Sequence, residues 1–117
     1  MQTITTEVYY RERIMPPPGS SLSLVMEDVA IQDIAATPIA ALTIDDIGAP
    51  PYQMELAYDP SLIQQRGRYA LRAQIRHEGK LLFTSTEHIE AFSPNPAGIV
   101  EIRMDKIPAR PVTKAAE

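Results

Sequence analysis

The stretch Arg68–Ile89, RYALRAQIRHEGKLLFTSTEHI, decides the fold. Tyr69, Leu71, Ala73 and Ile75 alternate with Ala70, Arg72, Gln74 and Arg76, a period of two that puts apolar side chains on one face and polar ones on the other. That is a half-buried strand. After it comes His77-Glu78-Gly79-Lys80, in which Gly79 supplies the positive φ of a tight turn, and then the strand-forming run LLFTSTEHI. The whole reads as an antiparallel hairpin.

The same alternation recurs outward from this hairpin. In YQMELAY, Tyr52, Met54, Leu56 and Tyr58 share one face, and Gln53, Glu55 and Ala57 the other. SLSLVMEDV aligns Leu22, Leu24 and Met26; IAALTID aligns Ala40, Leu42 and Ile44; GIVEIRMDKI aligns Val100, Ile102 and Met104. A further strand lies within TITTEVYYRER. The 11 prolines fall almost entirely between these segments, as loop and edge residues should. DPSLIQQ predicts one helical turn, with Asp59 as N-cap and Pro60 at the first position. No long apolar segment of helical period intervenes. The expectation is an all-β fold, an antiparallel β-sandwich of about seven to eight strands with immunoglobulin- or prealbumin-like layers. Residues 1–108 form the domain, and 109–117, polar and unpatterned, a mobile tail.

Composition narrows the function. Of 117 residues, 44% are apolar and 22% charged, ordinary values for a chain that folds by itself. The 11 basic and 15 acidic side chains leave a net charge of -4, which argues against nucleic acid as the partner, since phosphate binding runs on cations. Without cysteine there is no thiolate metal site, thiol nucleophile or disulfide. No apolar run reaches the length of a membrane span, and MQTITTEVYYRER lacks the pattern of a secretory signal. Met1 stands almost directly on a strand-like segment, as it would had a natural leader been removed.

A search for reactive groupings returns little. His77 and His88 sit at the turn and near the far end of one hairpin arm, roughly 30 Å apart at strand rise, and so share no metal. The pairs Glu27/Asp28 and Asp45/Asp46 fall at strand ends, where neighbouring side chains diverge rather than converge as an acid and base. There is no Gly-x-Ser-x-Gly elbow and no phosphate loop. Neither catalysis, a cofactor nor a metal is expected. The surface offers more. Arg72 and Arg76 share one strand face, and Arg11 and Arg13 another. If adjacent strands bring these rows together, a cationic stripe results that grips a carboxylate, an anionic sugar or an acidic peptide. Alternatively, the arginines pair with Glu12, Glu55 or Glu101 on a wet sheet face. Tyr52, Tyr58 and Tyr69 belong to core faces. Of the consecutive Tyr9 and Tyr10 one must face outward, which makes an outward Tyr9 beside Arg11 and Arg13 the candidate contact for a ligand or partner. MPPPGSS is either a stiff crossover between strands or a displayed polyproline segment.

Three pieces in order, YRERIMPPPGSSLSLVMEDV, YQMELAYDPSLIQQRGRYALRAQIRHEGKLLFTS and GIVEIRM, resemble the YbaY/YscW-like family of small bacterial envelope lipoproteins, one branch of which comprises pilotins of type III secretion. The likeness spans about Val8 to Met104. It implies a β-sandwich held at the outer membrane by a lipid on an N-terminal cysteine and facing the periplasm, and, in the pilotin branch, help to a secretin subunit on its way to the outer membrane. The chain has no such cysteine: either it begins after the anchor, and membrane attachment runs only through that absent lipid, or this member is soluble and lives elsewhere. Two function classes follow: a noncatalytic envelope domain that binds a protein partner as an assembly factor, or a carbohydrate or small-anion binding module built on the arginines and Tyr9.

Overall fold

A computed structural model describes residues 1–30 and 37–108. Eight strands are described: β1 (Gln2–Tyr9), β2 (Ser21–Asp28), β3 (Thr37–Asp45), β4 (Tyr52–Tyr58), β5 (Tyr69–His77), β6 (Lys80–Ser85), β7 (Ile89–Glu90) and β8 (Val100–Lys106). The all-β expectation holds. The alternation in YQMELAY is realised without exception, with Tyr52, Met54, Leu56 and Tyr58 buried and the residues between them exposed. The expected helical turn is a 3-10 turn, Pro60–Leu62, in which the Asp59 carboxylate accepts from Ser61 N at 2.9 Å and Ser61 Oγ at 2.8 Å. Those hydrogen bonds, the backbone one first, hold the Asp59 carboxyl below its usual range.

The β5–β6 hairpin turns at Glu78 (φ 51°) and Gly79 (φ 79°). Two consecutive positive φ values match the right-handed twist of the flanking strands. MPPPGSS acts as a crossover between β1 and β2: Pro16 is buried, and Pro17 O accepts from Ser20 N at 3.1 Å and from the buried Ser20 Oγ at 2.7 Å. Pro38 lies inside β3, where it is tolerated because β3 is an edge strand and its partner β2 shifts register between Met26 and Glu27. Residues 109–117, expected as a tail, lie outside the described residues.

The layering differs from the expectation. Hydrogen bonding runs through one path, β3-β2-β5-β6-β8-β1-β4, with β7 continuing beside β5. The strand that joins the halves is β8. Its first residues, Val100 to Arg103, pair with β1, and its last, Met104 to Lys106, pair with β6. One sheet therefore turns a corner at β8 and nearly closes on itself as a barrel, in place of two separate immunoglobulin-like layers. The β1–β8 pairing is also parallel, against an expectation of antiparallel pairing throughout. Alternation assigns each side chain to a face but is silent about which strand lies next door, so neither feature was readable from pattern.

Both halves feed one core. Leu22, Leu24, Met26, Ala73 and Ile75 from the β2–β5 half meet Val8, Leu56, Ile102 and Met104 from the β1–β4–β8 half, all of them essentially inaccessible. The Tyr10 ring stacks on Phe83 with centroids 4.1 Å apart and so ties the end of β1 to β6. Each fully buried aliphatic side chain contributes about 1.5–3 kcal/mol through water exclusion, which fixes the phase of every strand.

Candidate functional site

The structure separates the residues expected to form a cationic stripe. β1 ends at Tyr9, so Arg11 and Arg13 lie in the exposed loop beyond it. Arg72 and Arg76 project from β5, with β8 and β6 standing between β5 and β1. No shared row exists. Arg72 donates to Glu27 at 2.9 Å, and Arg76 donates to Gln74 at 3.2 Å, so the arginines are satisfied within their own half, although by other partners than Glu12, Glu55 or Glu101. The expected core tyrosines Tyr52, Tyr58 and Tyr69 are buried.

Tyr9 faces outward and is half-buried, whereas Tyr10 faces the core and donates to the carbonyl of Ile14. Tyr9 does not stand beside an arginine stripe. Together with Glu7, Tyr10, Pro50, Pro51 and Glu101 it walls a notch of about 380 Å³ on the outside of the β1–β8 pair. The notch is a product of register: parallel pairing sets Glu7 beside Glu101 and Tyr9 beside Arg103, and antiparallel pairing sets Glu7 beside Gln53 of β4. The chain enters β4 from the Pro50-Pro51 pair, which places both rings at the rim. Beneath it, Tyr52 donates to Gly48 O at 2.6 Å. Burial pushes the Tyr10 hydroxyl above the usual phenol range, and burial together with the neighbouring Tyr10 pushes Tyr52 higher still, so both stay neutral and serve as structure.

A second hollow, of about 220 Å³, opens between the start of β1 and the 91–99 loop, against Tyr58, Phe92 and Val100. Phe92 is 45% exposed and meets Tyr58 and Tyr69 edge-on, at 5.6 and 5.9 Å. The loop is held by Asn95, whose Oδ1 accepts from Ala97 N at 2.9 Å and Ile99 N at 3.0 Å. His77 and His88 stand at opposite ends of β6, each near a glutamate, Glu78 at 3.8 Å and Glu90 at 3.2 Å. Among the described residues no three His, Asp or Glu side chains converge as a metal site. Sequence reading named Tyr9 but missed Glu7, Glu101 and the two prolines. Alternation had already turned Glu101 outward; what it did not give was the neighbour.

The profile of the YscW family, described as type III secretion system lipoprotein chaperone, matches residues 1–104. The chain belongs to this family. A solved structure of an alternative pilotin from the type II secretion system of Vibrio cholerae superposes with a TM-score of 0.83 at 31% identity, covering 92% of this chain and 98% of that one. No curated protein sequence matches. The family is one of envelope-associated lipoprotein chaperones, and the likeness extends over the whole sheet from β1 into β8.

Proposed function

We propose that this chain is the partner-binding domain of an envelope lipoprotein chaperone: noncatalytic, and devoted to holding a secretin-type channel subunit while that subunit assembles. The observation that carries the reading is the match to a lipoprotein chaperone family over residues 1–104, reinforced by 31% identity to a pilotin across 92% of the chain. In this reading residues 1–108 act as one domain on the periplasmic side of the envelope, tethered through a lipid-bearing cysteine in a preceding segment. The surface favours protein over small anions, because Arg11 and Arg13 lie in a loop rather than in a strand row with Arg72 and Arg76, and Arg72 is neutralised by Glu27. Partner contact falls instead on the outward Tyr9 and the notch beside it. A polypeptide needs no reactive group here, only shape and charge that fit.

The test is deletion of the gene in its host, followed by membrane fractionation and gel analysis of secretin multimers. The expected outcome is loss of multimers from the outer membrane and accumulation of secretin subunits elsewhere. An unchanged distribution would overturn the proposal.

A further inference from the structure

The outer face of the β1–β4–β8 half carries Glu7, Glu55 and Glu101, and none of the three forms an ion pair among the described residues. Glu7 and Glu101 are register partners on adjacent strands, an arrangement of like charges that works against folding. The cation nearest by register, Arg103, is engaged elsewhere: it reaches Glu87 at 3.6 Å and Asp105 at 3.6 Å. The two carboxylates thus border the notch with no cation at ion-pair distance among the described residues.

Its other walls are the ring of Tyr9 and the pyrrolidines of Pro50 and Pro51. Such a lining suits a long side chain with an apolar stem and a cationic head. The methylenes lie along the prolines and the tyrosine face, while the charge comes to rest between two carboxylates. A neutral apolar side chain of the same length gains the stem contact but leaves the carboxylate pair uncompensated, which is a basis for discrimination.

We infer that this notch receives a lysine or arginine side chain of a bound polypeptide, so that the segment recognised by this half of the sheet is basic. The inference rests on the partner-binding reading above and adds the chemical class of the residue that is gripped.

The probe is a capped single amino acid, Nα-acetyl-lysine methylamide or its arginine counterpart, titrated into the full, 15N-labelled chain, with the norleucine compound as the uncharged control. Saturable amide shifts at Glu7, Tyr9 and Glu101 are expected from the cationic probes and not from norleucine. The double variant Glu7→Gln/Glu101→Gln, checked for an unchanged dispersed spectrum, is expected to weaken binding at least about tenfold, equivalent to about 1.4 kcal/mol. Equal response to norleucine, shifts confined to other strands, or no response would each overturn the inference. Because this readout is local to the notch, its failure leaves the chaperone reading standing. Loss of that reading by the deletion experiment likewise leaves the probe result intact.

Discussion

The two halves of the sheet share a core but differ on their outer faces. On the β2–β5 face charges are settled locally: Arg72 reaches Glu27 at 2.9 Å, Ser21 donates to Asp45 at 2.7 Å, and Gln74 donates to Thr84 at 3.4 Å. On the β1–β4–β8 face Glu7, Glu55 and Glu101 form no ion pair among the described residues, and Glu7 and Glu101 border a notch of tyrosine and proline. A face whose polar groups already satisfy one another gains little from a partner. One that keeps unneutralised charge around an apolar hollow gains by binding, and it is this contrast that motivates the proposal of the β1–β4–β8 side as the contact surface.

The contrast is one of surface alone, and the largest effects should show the halves to be equal inside. Leu24→Ala in β2 and Ile102→Ala in β8 each remove a fully buried side chain and are expected to cost about 2–5 kcal/mol in chemical denaturation, through one cooperative transition in both cases. Separate transitions for the two variants would divide the core. A smaller effect probes a buried hydroxyl in the middle of the β1–β4 ladder. Thr6 Oγ1 donates to Met54 O at 2.8 Å, and Thr6→Val, which preserves shape and removes the donor, is expected to lose about 1 kcal/mol.

The smallest effects sharpen the contrast most, because their signs differ. Arg72→Ala breaks a partly exposed ion pair on the settled face and is expected to lose about 0.5 kcal/mol. Glu101→Gln removes a like charge beside Glu7 and is expected to gain about 0.5 kcal/mol. Both are read from denaturation midpoints at low salt, and both should shrink as salt is raised. Equal signs would mean that the two faces do not differ electrostatically in the way the register implies.

Strand existence and phase were legible because burial on one side of a sheet imposes period two, and YALRAQI and YQMELAY display it without interruption. The turn was legible because Gly79 supplies one of the two positive φ angles, although Glu78 at φ 51° takes the other without the help of a glycine or asparagine. The pairing order was not legible. Whether β8 lies beside β1 or β6 depends on packing between residues distant in sequence, and β8 in fact serves both. The candidate site inherited that blindness: Tyr9 could be turned outward by alternation, whereas the meeting of Glu7 with Glu101 and the approach of Pro50 and Pro51 needed the register. The arginine stripe assumed a β1 that reached past Tyr9, whereas Arg11 and Arg13 lie in the loop beyond it and only Arg72 and Arg76 share a strand.

The most direct measurement is calorimetric titration of the purified chain with the secretin subunit of its own organism, comparing Glu7→Gln/Glu101→Gln with Glu27→Gln/Arg72→Ala. The account predicts that the first pair of substitutions weakens binding at least about tenfold and the second leaves it within about twofold of the unaltered chain. Undiminished binding by the first together with loss by the second would place the contact on the opposite face and contradict it.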